Sequence, residues 1–254
     1  MKYRLITKLF GLLTILIGLT MIPSVVWSLY YNEPDYLAFI YSILICWIIG
    51  GLMFGLNYHI KDKLFLREAF FIVGFGWFIA GLFGSLPYIM TGALPSFADA
   101  FFETISGFTT TGATVLTEIE VHGKGLLFWR SLTHWLGGMG IIVLFVALFP
   151  FLGVGGRNLI NFESPGPIRS SIKSRTIDIA RYLWYIYVSL SAAQVLLLMI
   201  FGMNLFNSLC HTFGTMATGG FSTLNDNIAG FDSVNIEIII TLFMFLAGVN
   251  FSLS

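Results

Sequence analysis

The fold is decided by the stretch Gly107-Phe108-Thr109-Thr110-Thr111-Gly112-Ala113 and by a second stretch of the same kind, Gly214-Thr215-Met216-Ala217-Thr218-Gly219-Gly220. Placing one stretch over the other aligns three identical positions: Gly107 with Gly214, Thr111 with Thr218, and Gly112 with Gly219. Three identities are a weak signal by themselves, because threonine and glycine are common residues in turns and loops. The segments around each stretch therefore decide what the repeat means.

The chain around these stretches has the composition of a membrane protein. Of its 254 residues, 57% are hydrophobic and only 10% are charged, whereas ordinary soluble domains carry about 25% charged residues. This balance excludes a soluble enzyme, and the net charge of +0 makes nucleic acid an unsuitable partner. Because a bilayer core of about 30 Å requires about 20 apolar residues in a helix, spans are predicted at residues 8–30, 36–58, 68–91, 125–153 and 182–203. A sixth begins near Ser233.

The basic residues predict the orientation of these spans. Eleven of the thirteen Lys and Arg residues precede the first span, separate the second from the third, or follow the fourth. By the positive-inside rule these stretches, and with them the N-terminus, are predicted to be cytoplasmic. The basic start and the apolar run to about Tyr30 lack a small-residue cleavage site, so a retained helix is expected rather than a signal peptide. The outer loops are acidic and would concentrate cations; they hold Glu33, Asp35, Glu118, Glu120, Asp226 and Asp232.

Two further segments, residues 97–108 and 205–216, are too short and too polar to span. Each follows an outward-going helix, ends in a Thr/Gly stretch and precedes an inward-going helix, which is typical of a chain that dips into the membrane and returns. A cation in transit exchanges its water for fixed oxygens, and a row of backbone carbonyls supplies them. Gly112 and Gly219 are predicted to provide the unusual backbone angles that such a row requires. The alternative, a pair of ordinary outer turns, explains the matching surroundings less well.

Three longer stretches resemble the Trk/Ktr/HKT superfamily of potassium transporters. They are residues 101–114 (FFETISGFTTTGAT), 128–140 (FWRSLTHWLGGMG) and 211–222 (HTFGTMATGGFS). The two helices before the first predicted pore unit point to the TrkH-type branch. The resemblance implies an all-α polytopic membrane protein with helix–pore loop–helix repeats around a pseudo-fourfold ion pore. It also implies four organisational regions: 1–66 (two additional helices), 67–156 (first repeat), 157–181 (cytoplasmic linker) and 182–254 (second repeat, truncated).

The resemblance implies potassium uptake across the bacterial cytoplasmic (inner) membrane, with this chain supplying two of four filter segments. The first filter falls on Thr110, Thr111, Gly112 and Ala113, and the second on Ala217, Thr218, Gly219 and Gly220. Potassium would bind the backbone carbonyls of Thr110, Thr111, Ala217 and Thr218. Glycine at position 112, where sodium-selective members have serine, favours potassium. A sodium-selective relative and a non-conducting fragment that assembles with the missing half remain as alternatives.

The partners that the resemblance implies are the lipid membrane, a second copy in a homodimer, and a cytoplasmic nucleotide-binding regulatory subunit of the TrkA type. The basic loop 153–181 is expected to contact this regulator, or else anionic lipid. No organic cofactor is expected, since potassium is the transported ligand. An intramembrane enzyme is disfavoured because the sequence has no HExxH or Gly-x-Ser-x-Gly motif. The coupling ion, whether proton, sodium or none, is left open.

Several polar and small residues in the apolar segments have both structural and functional interpretations. Arg130 and His134 share a helix face, and a structural role is favoured for Arg130, either snorkelling to headgroups or anchoring a filter. Asp99 and Glu103 are expected to complement the dipole of the first short helix, with attraction of cations as a secondary role. His211 is expected to pack or to form a hydrogen bond. The remaining candidates are expected to be packing residues: Gly137, Gly138, Gly140, Cys46 and Cys210.

Overall fold

The computed structural model describes the backbone of residues 2–60, 66–148 and 169–248, and the side chains of residues 2–60, 67–140 and 181–248. Within these residues the chain forms α-helices, one 3₁₀ turn and no β-strand. The helices are α1 (Tyr3–Thr20), α2 (Ile22–Tyr30), α3 (Tyr36–Gly55), α4 (Leu66–Gly84), α5 (Leu86–Met90), α6 (Phe97–Phe108), α7 (Lys124–Leu148), α8 (Arg169–Ile200), α9 (Leu205–Met216) and α10 (Val234–Gly248). The 3₁₀ turn covers Asn227–Phe231. The all-helical fold predicted from the sequence is confirmed.

Four stretches of the described chain are long and apolar enough to cross a membrane: Tyr3–Tyr30, Tyr36–Gly55, Arg67–Met90 and Arg181–Ile200. They correspond to four of the predicted spans. Two of them are interrupted, at Met21 and at Ser85, where a new helix starts with a proline in its first turn. Proline lacks the N–H that would continue the hydrogen-bond ladder, so Pro23 and Pro87 explain both breaks.

Helix α8 extends beyond its predicted span at the end that is predicted to be cytoplasmic, and the described part of α7 agrees with its predicted span. Helix α7 begins at Lys124, as predicted, and the stretch from 149 to 153 lies outside the described residues. Helix α8 begins at Arg169, so part of the predicted linker 157–181 has a helical backbone. The rest of that linker also lies outside the described residues, and the predicted regulator contact of the loop 153–181 therefore stays a prediction.

Helices α6 and α9 have the bounds predicted for the two dipping segments. Each has 12 residues, which is about 18 Å of helix and too short for a bilayer core of about 30 Å. The residue before each helix, Ser96 or Asn204, has an extended backbone, which starts the helix abruptly. The Asn204 side chain also accepts a hydrogen bond from the backbone N–H of Asn207 at 2.8 Å, as an N-cap does.

Helix α7 is the centre of the packing. It lies against α2, α6, α8 and α9, while α1 packs on α3 and α4, and α10 packs on α9. Both short helices therefore rest on one long helix. We name α4 to α7 the first unit and α8 to α10 the second unit, because each places a short helix and a loop between two longer helices. The side chains of α7 can hold the loops of both units.

Candidate ion-binding site

Each short helix runs into a loop, loop 1 (residues 109–114) or loop 2 (residues 217–222), and the two loops share one backbone conformation. Thr110 and Thr218 both lie in the left-handed region, with φ of 55° and 54°. Two residues later, Gly112 and Gly220 have φ of 75° and 92°. A β-branched residue with positive φ is a genuine outlier, and a strained backbone of this kind is concentrated at functional sites.

Hydrogen bonds place the two loops in a register that pairs Thr110 with Thr218. The N–H of Thr111 donates to the Ser106 carbonyl at 2.9 Å, and the N–H of Gly219 donates to the Gly214 carbonyl at 2.9 Å. Further along, the N–H of Leu116 donates to Thr114 Oγ1 at 3.1 Å. The matching bond of the second unit joins the N–H of Leu224 to Ser222 Oγ at 3.0 Å.

The alignment of the two stretches by their matching letters is therefore wrong by one position. Gly112 corresponds to Gly220, and Gly219 corresponds to Thr111. Gly219 is not among the glycines with positive φ, so the predicted need for unusual backbone angles falls on Gly220 instead. The shared geometry lies in the hydrogen bonds after each helix, which a comparison of glycine positions does not detect.

The predicted filter residues of the two loops lie side by side. A Cβ atom added to Gly112 would collide with the carbonyl oxygen of Gly219, so the loops touch at this point. Thr111, Ala113, Thr218 and Gly220 are exposed. Ala217 is different, because it is buried and its Cα lies 3.0 Å from where a Cβ on Gly138 would stand. Ala217 thus packs against α7 and corresponds to Thr109, at the end of the preceding helix.

Gly137 and Gly138 of α7 pack against the C-terminal ends of α6 and α9. A Cβ on Gly137 would collide with the Phe108 carbonyl, and one on Gly138 would crowd Ala217. The packing role predicted for these two glycines is confirmed. Gly140 makes a looser contact, with Trp77 at 3.9 Å from the position of an added Cβ.

A buried ion pair holds the first unit together beneath loop 1. Arg130 Nε donates to Glu103 Oε1 at 2.7 Å, and the side chains are 2% and 0% exposed. The Glu103 carboxylate also accepts from Thr114 Oγ1 at 2.8 Å and from the Val115 N–H at 2.9 Å. The carboxylate thus fixes the end of loop 1, and each of its oxygens has a partner.

This pair contradicts the dipole role expected for Glu103 and decides between the two structural roles expected for Arg130. Glu103 is the seventh residue of α6 and is bound to a guanidinium, so it does not serve the helix dipole; Asp99, in the first turn and exposed, is placed for that. Arg130 does not snorkel to headgroups. Its Nη1 donates to the carbonyl of Ser222 in loop 2 at 2.9 Å, so the anchoring interpretation agrees with the structure.

His134 and Phe221 complete the contacts of α7 with the loops. His134 Nδ1 lies 2.8 Å from the Gly107 carbonyl, and its ring stacks on Phe221 with centroids 3.9 Å apart and planes at 8°. The guanidinium carbon of Arg130 lies 3.7 Å from the centroid of the same Phe221 ring. Both α7 side chains therefore contact the two units at once.

A hydrogen-bonded clamp joins the units on the side that is predicted to be outside. Asn225 Oδ1 accepts from the N–H of Ile119 at 2.8 Å, and the N–H of Asn225 donates to Glu120 Oε1 at 3.1 Å. The sequence carries no local signal for the roles of Asn225 and Phe221, because their partners are distant in the sequence. His211 is buried and 3.3 Å from Thr223 Oγ1, and Cys46 and Cys210 are also buried, as expected for packing residues.

Two acidic side chains on the side that is predicted to be outside, Glu33 and Asp35, lie close enough together for one to raise the pKa of the other. Glu33 and Asp35 both lie beside Gly123, where an added Cβ would contact their carboxylates. Burial raises the pKa of the Asp35 carboxyl, and the negative charge of Glu33 raises it further. Within the described residues no group of three or more His, Cys, Asp or Glu side chains could hold a metal ion.

Together these features define a polytopic, all-helical membrane protein with paired segments of short helix and loop. The chain belongs to the TrkH family, described as cation transport protein, whose family model matches residues 36–254. The resemblance stated from the sequence is confirmed.

The chain is similar to curated TrkH proteins along its whole length. It is 44% identical over 255 residues to the Trk system potassium uptake protein TrkH of Halomonas elongata and 41% identical to that of Escherichia coli K12; each alignment covers 100% of this chain and 53% of the relative. The crystal structure of the potassium transporter TrkH from Vibrio parahaemolyticus matches with a TM-score of 0.86 at 37% identity, covering 100% of this chain and 51% of that one. The chain spans about half the length of the relatives it matches.

Proposed function

We propose that this chain forms two of the segments of a potassium-selective pore and serves in potassium uptake. The observation that carries the proposal is the pair of strained loops, with Thr110 and Thr218 in the left-handed region, touching each other at Gly112 and Gly219. Carbonyls held in such a row replace the water of a cation. The C-terminal ends of α6 and α9, which carry partial negative charge, add to the attraction.

The proposed ion ligands are backbone carbonyls in the register that the hydrogen bonds support. In loop 1 they belong to Thr110, Thr111 and Gly112. In loop 2 they belong to Thr218, Gly219 and Gly220, one residue later than the sequence alignment placed them. Ala217 leaves the set because it packs on α7, and Ala113 is kept only as the residue that closes loop 1 through its carbonyl, which accepts from Ser106 Oγ at 2.6 Å.

The proposal extends to organisation and partners. We assign residues 1–66 to an additional helix pair, 67–156 and 182–254 to two pore repeats, and 157–181 to a cytoplasmic linker. The protein would lie in the bacterial inner membrane as a homodimer, with a nucleotide-binding subunit of the TrkA type on its cytoplasmic face. The relatives are named potassium uptake proteins of a Trk system, which supports the proposal that potassium is the transported ion.

The test of function is growth of a bacterium that lacks its own potassium uptake systems. The full-length protein containing this sequence should restore growth at limiting potassium, and excess sodium should not compete with potassium in flux measurements. Effective competition by sodium would favour the sodium-selective alternative. Failure to support growth despite normal membrane levels would overturn the proposal.

Residues 1–254 alone are expected to carry no potassium. Two filter segments leave the remaining sides of an ion without ligands, and they expose polar backbone to lipid, where each unsatisfied group costs several kcal/mol. The measurement is potassium flux into liposomes that contain the purified chain, with the full-length protein as the positive control. Flux from the chain alone would contradict the expectation, unless crosslinking showed that two copies had assembled into one pore.

The N-terminus and the 157–181 linker are expected to face the cytoplasm, because most of the basic residues lie there. A Ser170→Cys variant should resist a membrane-impermeant thiol reagent added to intact cells, whereas Ala229→Cys, in the exposed 3₁₀ turn on the proposed outer side, should react. The native Cys46 and Cys210 are buried, so background labelling should be low. The reverse pattern would invert the topology.

A further inference from the structure

The ring of Phe221 links loop 2 to the first unit. Phe221 directly follows Gly220 and is 3% exposed. Its ring contacts two side chains of α7: the Arg130 guanidinium, 3.7 Å from the ring centroid, and the His134 imidazole, 3.9 Å away and nearly parallel. A residue of loop 2 is thus held by the long helix of the other unit.

Both side chains that hold the ring are themselves fixed. Arg130 is bound to Glu103 at 2.7 Å and to the Ser222 carbonyl at 2.9 Å. His134 Nδ1 lies 2.8 Å from the Gly107 carbonyl, in the last turn of α6. The ring therefore connects loop 2 to groups that position loop 1, and the contacts are buried, where cation–π attraction is strongest.

Within the side chains described, residues 2–60, 67–140 and 181–248, the arrangement occurs in one direction only. In the register that pairs Gly112 with Gly220, the counterpart of Phe221 is Ala113, which has no ring. Helix α10, the counterpart of α7, has the sequence VNIEIIITLFMFLAG and contains neither Arg nor His. Among the described residues, loop 2 is braced by the first unit without a reciprocal brace from α10 to loop 1.

We propose that Phe221 is a positioning residue for ion selection, which locks loop 2 at a fixed distance from loop 1. This inference rests on the proposed function. A carbonyl row selects an ion only if the ligands keep their spacing, and the contact between Gly112 and Gly219 shows that the loops meet where Phe221 braces one of them. A ring that stacks on a fixed imidazole and lies against a fixed guanidinium resists sliding, whereas an aliphatic side chain of similar volume does not.

The experiment compares Phe221→Leu with Phe221→Tyr in the full-length protein. The potassium-to-sodium permeability ratio should fall about tenfold in the leucine variant, because the loss of a buried cation–π contact corresponds to a change of about tenfold in an equilibrium constant. It should change less than about threefold in the tyrosine variant, which keeps the aromatic face. Phe213→Leu is the matched control, because the Phe213 ring packs on the aromatic rings of Phe128 and Trp135, and it should leave the ratio unchanged.

Each outcome decides the matter. An unchanged ratio in Phe221→Leu at normal membrane levels overturns the inference, and so does an equal fall in Phe221→Leu and Phe213→Leu, which would indicate general packing. If the leucine variant does not accumulate, Phe221→Met takes its place; if that variant also fails while Phe213→Leu accumulates, Phe221 is a folding residue and the inference is wrong. A wild-type protein that does not select potassium would instead defeat the proposed function itself.

Discussion

Gly112→Ser is expected to lower the potassium-to-sodium selectivity of the full-length protein by at least about tenfold, a free-energy change of about 1.4 kcal/mol. Two effects combine. Gly112 has φ of 75°, where a side chain costs about 1–2 kcal/mol. The new Cβ would also collide with the Gly219 carbonyl, so one of the two loops must move. The variant should still fold and reach the membrane while its selectivity is reduced, because the displaced atoms include the proposed ion ligands.

The counterpart and the control follow from the corrected register. Gly220→Ser should have a smaller effect, since its φ of 92° is strained but an added Cβ meets nothing within 4 Å. Gly219→Ser would push against the His134 ring instead. Gly92, in an outer loop, is unsuitable as a control because its φ is 75°. Gly51, in α3, has open space and no positive φ, so Gly51→Ser is the matched control.

The measurement is the ratio of potassium to sodium flux at equal membrane levels. A Gly112→Ser protein that accumulates normally and keeps its selectivity would show that loop 1 is not a filter. If Gly51→Ser lowers selectivity as much as Gly112→Ser does, the loss comes from serine in a membrane helix or loop and not from the filter.

Arg130→Gln is expected to have the largest effect on stability, a loss of about 3–5 kcal/mol. The variant leaves the Glu103 carboxylate, which is 0% exposed, without the charge that compensates its burial. The Ser222 carbonyl loses its donor as well. Thermal unfolding of the purified full-length protein and its level in the membrane should both fall sharply.

The double variant Glu103→Gln with Arg130→Gln distinguishes the effect of an unpaired buried charge from the effect of a changed side-chain shape. Because it removes both charges, it should recover most of the lost stability, while transport stays impaired since the end of loop 1 loses a charged acceptor at Thr114 and Val115. Lys124→Gln is the control on the same helix; its ammonium lies 5.4 Å from the Phe206 ring centroid, and the change should cost within about 0.5 kcal/mol. A double variant no more stable than Arg130→Gln would show that charge burial is not the cause.

The sequence alone predicted the features that depend on local composition and length. Apolar runs of about 20 residues identify spans because the bilayer sets their length, and the 12-residue helices α6 and α9 have the predicted bounds because polar Thr/Gly stretches end them. The family was also evident from contiguous stretches such as residues 101–114. The breaks at Met21 and Ser85 were missed although Pro23 and Pro87 signal them, because span prediction counts hydropathy and not backbone donors.

Only the tertiary structure shows which residues of the two loops correspond and which side chains hold the loops in place. The pairing of Gly112 with Gly220 depends on backbone hydrogen bonds and φ angles, which three matching letters in the sequence do not reveal. Glu103 and Arg130 lie on different helices, and Phe221 is far along the chain from the side chains that hold it, so no helical spacing brings them together. Arg130 holds both loops in place because it is buried between the two units. A buried charge requires partners, and only the folded chain brings them together.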